Sequence, residues 1–286
     1  MKIINVLSWG GGTQSTALML KMLSGDVLDN KGEIVKPDYI IFADTGDESR
    51  MTYDQVYNVQ KYVKETYNQE IIIVKKNKML KNDQEITDMV RAGKMSGTIY
   101  RSSDYADLYQ NQVLFYKGVL DRADIVPHWV INKRGEIGKL MGRQCTVTYK
   151  ITQIVKEIRR RENLKAFSAK KHKINMFIGF TIDEIMRVKP SPQSYIENKF
   201  PLVDIRWSKE DCIQYVIQKL GFRPHSSVCN MCYANDFNRV YNIYKNDQSA
   251  WNKLLMLDDA MAHKPENHRI RGDVYMFHWQ IKMLFS

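Results

Sequence analysis

Three consecutive glycines, Gly10-Gly11-Gly12, stand between an apolar run, Ile3-Ile4-Asn5-Val6-Leu7, and a Leu- and Met-rich stretch that stops at Gly25. The first reads as a short buried strand and the second, Thr16 to Ser24, as a helix. A strand feeding a helix through a glycine-rich turn aims backbone N–H groups and the positive helix end at one spot. That is a ready-made anion site, usually for phosphate. One glycine would suffice for a turn, so three in a row speak for a ligand that needs bare backbone.

Two familiar phosphate loops are excluded. A Walker A loop ends in Gly-Lys-Ser/Thr, and no lysine lies between Lys2 and Lys21. A dinucleotide fingerprint needs a third glycine where Ser15 stands after Gly10 and Gly12. A third pattern, Ser-x-Ser-Gly-Gly-x-Asp-Ser, fits in register at Ser8, Gly11, Gly12, Ser15 and Thr16, with Gly10 and Gln14 in place of the usual Ser and Asp. The segment resembles the PP-loop superfamily of ATP pyrophosphatases, in its phosphoadenosine-phosphosulfate (PAPS) reductase-like branch. The resemblance implies that Ser8, Gly10, Gly11, Gly12, Thr13, Gln14, Ser15 and Thr16 surround the phosphates of ATP, with Mg²⁺.

The chain continues in the same rhythm. Asp38 to Ala43 reads as a strand, Thr52 to Tyr67 as a helix and Glu70 to Val74 as a third strand. Apolar strands alternating with helices indicate a parallel sheet covered on both faces, an α/β fold with ligands beyond the carboxyl ends of the strands. The resemblance sharpens this to an adenine nucleotide alpha hydrolase-like core over 1–204, with a mostly helical section over 205–286. "FADTGDE" then looks like the element beside the adenosine, which places Asp44, Thr45 and Gly46 there. Residues 77–140 read as an irregular, partly helical insertion whose length suggests that it covers a site.

Two further segments carry the resemblance. In "GRQCTVTYKITQI", residues 142–154, Thr146 or Thr148 can cap the following helix, so Cys145 falls just before a helix N-terminus. After a fourth strand, Met176 to Phe180, the run Gly-x-x-x-Asp-Glu-x-x-Arg from Gly179 to Arg187 recurs in the PAPS reductase-like and sulfurtransferase branches. Asp183 and Arg187 are four apart and would share a helix face, either as a surface ion pair or as site residues with Arg187 on the pyrophosphate. Lys150 is a second candidate for that charge. Ser208-Lys209-Glu210-Asp211 reads as a variant capping box opening a helix that ends near Gly221.

Four cysteines in a chain that shows neither a signal peptide nor an apolar run of membrane-spanning length predict a cytoplasmic, reducing setting, with metal, cluster or catalytic thiols ahead of disulfides. Cys229-x-x-Cys232 has ligand spacing, and Cys145 adds a third thiol. A [4Fe–4S] cluster on Cys145, Cys229 and Cys232, zinc with His225 as fourth ligand, and persulfide chemistry with Cys145 as nucleophile are the three chemistries weighed. Cys212 falls on the stripe of Ile213, Val216, Ile217 and Leu220 and reads as a core residue.

The formal charge is +11 and the isoelectric point near 9.3. Lys156 to Lys173 holds eight Lys/Arg against two Glu, a net of +6. Such a stripe suits a nucleic-acid backbone. It equally suits the solvated face of a helix that buries Ile151, Ile154, Val155 and Ile158. Together these features predict an ATP pyrophosphatase that adenylates a substrate for sulfur transfer, as in tRNA thiolation or DNA phosphorothioation. Its partners would be ATP, a nucleic acid and a cysteine desulfurase or other sulfur donor protein, with no membrane. The alternatives are a PAPS or adenylylsulfate reductase, and a nucleotide-binding subunit without turnover. Against the reductase, no cysteine follows Cys232, where those enzymes carry a C-terminal Glu-Cys-Gly-x-His nucleophile.

Overall fold

The computed structural model describes residues 2–76, 108–119, 126, 129–131, 137–140, 144–164, 172–232, 235–264 and 273–275. The chain divides into two compact units: 1–43, 50–74 and 154–227 form the first, and 44–49, 75–153 and 228–286 the second. Residues 205–227, which the sequence pattern groups with the C-terminal section, lie in the first unit.

Unit 1 is a parallel α/β layer. Its strands are β1 (Lys2–Trp9), β2 (Tyr39–Asp44), β3 (Ile71–Lys75), β6 (His172–Ile178) and β7 (Ile196–Lys199). The intervening β4 (Trp129–Ile131) and β5 (Ile137–Leu140) belong to the other unit. The five strands are ordered β3-β2-β1-β6-β7 and run parallel. β1 is central, pairing Ser8 with Ile41 on one side and with Ile178 on the other. Its alternation buries both faces. Leu7 and Trp9 join a core with Ala17, Leu20 and Val59, while Ile4 and Val6 join Ile154, Val155 and Ile158. The first of these cores is roofed by α1 (Thr13–Ser24) and α2 (Arg50–Tyr67), the second by α4 (Thr152–Arg161). α1 begins three residues earlier than its periodicity indicates, because Thr13 and Thr16 are themselves buried against the turn.

After β7 come a short helix α5 (Pro201–Asp204) and α6 (Lys209–Leu220). The predicted capping box is present: Ser208 Oγ accepts from the Asp211 N–H, and the Asp211 carboxylate accepts from the Ser208 N–H. Gly221 closes the helix in the left-handed region, φ 76°. Cys212 is fully buried in the α1-side core, and burial pushes its thiol up to about 12.

Unit 2 is helical around its own core. α3 (Leu108–Tyr116), α7 (Phe237–Asn246) and α8 (Gln248–Ala262) bury Val113, Leu114, Val240, Trp251 and Leu257 together. Asp236 and Asp247 cap α7 and α8 through their side chains. A small antiparallel sheet, β5-β4-β8 with β8 at Asp273–Tyr275, completes the described part. Most of the 77–140 insertion, and the tail beyond 264 apart from β8, lie outside the described residues. No helix among the described residues is long and apolar enough to cross a membrane.

Candidate nucleotide loop and thiol cluster

The turn between β1 and α1 is held from within. Ser15 Oγ accepts from the Gly10 N–H at 3.1 Å and donates to the Gly12 carbonyl, which also takes the Thr16 hydroxyl at 2.8 Å. Trp9 Nε1 donates to Thr16 Oγ1 at 3.0 Å, tying the strand to the helix. Gln55 Nε2 donates to the Gly11 carbonyl at 2.6 Å and to the His225 carbonyl, and the His225 N–H donates to Gln55 Oε1. Gln55 is buried, and no sequence motif marks it as part of the loop.

The three glycines are not equivalent. Gly11 has φ +70°, and a Cβ there would sit 2.9 Å from the Phe42 ring. A Cβ on Gly12 would lie 2.9 Å from the Ser227 backbone nitrogen, whereas one on Gly10 meets only Ser15 Oγ at 3.6 Å. Gly12 is the N-cap of α1 and, having no side chain, makes no side-chain bond to the first-turn N–H groups of Thr13, Gln14 and Ser15. Ser8 lies at the carboxyl end of β1, half-buried.

The Gly179–Arg187 segment abuts this loop. A Cβ on Gly179 would come within 2.6 Å of Ser15 Cα, so only glycine lets the two backbones approach. The expected α-helix after Gly179 does not form. Ile182–Arg187 is two short 3₁₀ turns kinked at Glu184, φ −113°. Arg187 therefore pairs with Glu184 three positions back, not with Asp183 four back. Asp183 instead accepts from the Lys209 N–H at 2.6 Å and from Thr181 Oγ1 at 3.3 Å. Glu184 also accepts from Gln14 Nε2 at 3.3 Å. The Arg187 guanidinium, expected on a pyrophosphate, is engaged by Glu184 and lies over the Phe180 ring.

Unit 2 gathers a second group. Asp44 accepts from the Gly46 N–H at 2.7 Å and pairs with Lys75 at 2.6 Å. Gly46 turns at φ +81° toward Glu48, whose side chain is wholly buried. A β-bridge joins Glu48 to Cys229, and the Asp47 carbonyl and carboxylate accept from the N–H groups of Asn230 and Met231. This pins the Cys229–Cys232 turn, which is closed by the Cys232 N–H donating to the Cys229 carbonyl at 3.1 Å. Glu48 Oε1 accepts from Lys150 Nζ at 3.2 Å, from Thr45 Oγ1 at 3.2 Å and from the Cys229 thiol at 3.6 Å. Burial pushes the Cys229 thiol well up, Glu48 pushes it further, and Lys150 opposes both. Burial alone would lower Lys150, but Glu48, Cys229 and Cys145 more than offset it and hold its ammonium above its ordinary value.

Cys145 is not outside a helix. Its backbone is already helical, φ −53°, at the head of a π-helical turn over Thr146–Ile151. No threonine caps it, since the turn starts upstream, with the Thr148 N–H donating to the Gln144 carbonyl. The wide π turn also rotates Ile151 away from the stripe of α4: Ile154, Val155 and Ile158 are buried, but Ile151 is exposed. On α4, Arg160 and Arg161 both pair with Glu157, and Lys173 pairs with Glu197, so much of the described basic stripe is internally matched. Residues 165–171 of that stripe lie outside the described residues.

The fold thus brings Cys145, Lys150 and Cys229 into one electrostatic group with Glu48, an acidic residue that its position in the sequence does not distinguish. Among the described residues no three His, Cys, Asp or Glu side chains are arranged to hold a metal ion. Cys145, Cys229 and Cys232 all belong to unit 2, whereas His225 belongs to unit 1. Scans against models of known protein families and against curated proteins return no match.

Proposed function

We propose that the chain is an ATP pyrophosphatase of the PP-loop kind, PAPS reductase-like, that adenylates an acceptor oxygen for replacement by sulfur. The observation that carries this is the first turn of α1. It opens at the carboxyl end of the central strand of a parallel sheet, behind a glycine N-cap that has no side chain to occupy its N–H groups. Helix N-termini of this kind take phosphate, and open parallel sheets bind ligands at that end.

In the first half-reaction the acceptor oxygen attacks the α-phosphorus of ATP. The bond to the bridging oxygen breaks, and pyrophosphate departs with that electron pair. Amides of Gly11, Gly12 and Thr13, with the Ser8 and Ser15 hydroxyls, hold the departing charge. Magnesium arriving with the nucleotide would supply further neutralisation of that charge. In the second half-reaction sulfur bonds to the adenylated centre and AMP leaves. Cys145, at the head of the helical turn over Thr146–Ile151, is assigned as the persulfide carrier, loaded by a donor protein such as a cysteine desulfurase. Its outer sulfur bonds to the adenylated centre as AMP leaves. A second cysteine, Cys229 or Cys232, then attacks the Cys145 sulfur and breaks the S–S bond. The thiolated product departs while the resulting disulfide is reduced by an external thiol. The +11 charge favours nucleic acid as acceptor, which makes tRNA thiolation or DNA phosphorothioation the concrete reactions.

Ser15→Asp tests the loop. A carboxylate in the first turn suits the helix dipole, so the fold survives, but it repels polyphosphate. Calorimetry should show ATP binding to the wild type and loss of it in the variant. With tRNA or DNA present, ATP should yield AMP and pyrophosphate. Formation of ADP and phosphate, or unchanged affinity in Ser15→Asp, overturns the reading. A nucleotide-binding subunit without turnover, favoured by Gln14 being bonded to Glu184 in place of the usual loop aspartate, would bind ATP and release no pyrophosphate.

A further inference from the structure

Arg187, Phe180 and Phe200 form a stack on unit 1. Phe180 lies two residues after β6 and Phe200 directly after β7, and because these strands are parallel neighbours both rings arrive at one end of the sheet. Their centroids are 5.8 Å apart and their planes within 13°. Arg187 Cζ lies 4.4 Å from the Phe180 centroid. Glu184 holds the guanidinium in place, yet the Arg187 side chain stays 52% exposed.

The stack is tied to the nucleotide loop in two ways. Glu184 accepts from Gln14, and Gly179, the residue before Phe180, is packed backbone to backbone on Ser15. Around it the surface is apolar without an internal reason. Ile182 and Ile185 are exposed, and Met186 is 88% exposed. Lys189, also exposed, adds a second cation beside Arg187.

A guanidinium held over a ring and open to solvent is a surface on which an unpaired base stacks, with the cation beside the phosphate backbone. We propose that Arg187 and Phe180 form the docking point for an unpaired nucleobase of the acceptor nucleic acid, next to the ATP loop. This rests on the reading of that loop as the ATP site. Ile182, Ile185 and Met186 on the same segment offer further exposed apolar surface, of a kind that a run of unpaired bases uses and the single adenine of ATP does not. The net charge of +11 draws a polyanion to the chain.

The test uses fluorescein-labelled single-stranded RNA and DNA of about a dozen nucleotides and a blunt duplex, read by anisotropy, with ATP binding read by calorimetry. Arg187→Lys keeps the charge and loses the plane, and its exposed position keeps the fold intact; Phe180→Leu removes the ring beneath. Each should weaken single-strand binding about tenfold and leave duplex and ATP affinity unchanged. Unchanged single-strand binding in Arg187→Lys overturns the proposal. Equal loss of ATP and single-strand binding overturns it as well, assigning the stack to adenine. If wild-type protein binds single strands through Arg187 but does not bind ATP, the stack stands and the loop reading falls.

Discussion

Replacing Glu48 by Gln removes one charge from the buried group of Thr45, Glu48, Lys150 and Cys229 while nearly conserving volume. Lys150 loses its carboxylate partner at 3.2 Å. Breaking a buried pair costs about 3–5 kcal/mol, and the lower end applies because Lys150 keeps 31% exposure. At roughly 2–4 °C per kcal/mol, the melting temperature should fall by about 6–12 °C. Cys229 loses the carboxylate 3.6 Å from its sulfur. A unit charge about 4 Å away is worth about 4 kcal/mol at an effective dielectric of 20, so its removal favours the thiolate. Burial persists in the variant, so the Cys229 midpoint moves down without losing all of its upward displacement. The assay is the pH dependence of iodoacetamide alkylation, resolved by mass spectrometry so that Cys145, Cys212, Cys229 and Cys232 are followed separately. The Cys229 midpoint should move down in Glu48→Gln and up in Lys150→Met. A midpoint that stays, or rises, in Glu48→Gln refutes the coupling. The sign in wild-type protein is fixed by the same groups. Cys229 and Lys150 both keep their protons longer when folded, so the stability these two groups contribute is full on the acid side of 9.0 and falls as pH climbs past 9.0 and then 10.5.

Gly179→Ala should cost roughly 1–3 kcal/mol, since its Cβ would press on the Ser15 backbone and both partners are main chain; Gly10→Ser, with open space, should melt like wild type, and equal melting of the two variants would dismiss the close approach. Ser208→Ala should lose about 1 kcal/mol in urea unfolding by removing the capping box of α6, and no change in midpoint would mean that the cap contributes nothing there.

Much of unit 1 was determined by local pattern. Alternation of Ile4 and Val6 against Leu7 and Trp9 requires a strand covered on both faces, and three glycines before a Leu-Met helix require a turn of bare backbone. Ser208 with Asp211, and Cys212 on its apolar stripe, were equally legible, because each involves neighbours within a turn or two. Tertiary structure decided the rest. Spacing of four between Asp183 and Arg187 suggested a shared helix face, but the 3₁₀ turn hands Arg187 to Glu184 and leaves Asp183 to the Lys209 backbone. Only the backbone beside each glycine shows that Gly12 answers to Ser227 and Gly179 to Ser15. Glu48 ends the FADTGDE run with no role of its own in the sequence pattern, yet it is buried because its partners, 102 and 181 positions away, arrive from Lys150 and Cys229. Periodicity reports which face of an element is apolar. Which distant side chain neutralises a buried charge depends on how the chain returns, and that is decided only in three dimensions.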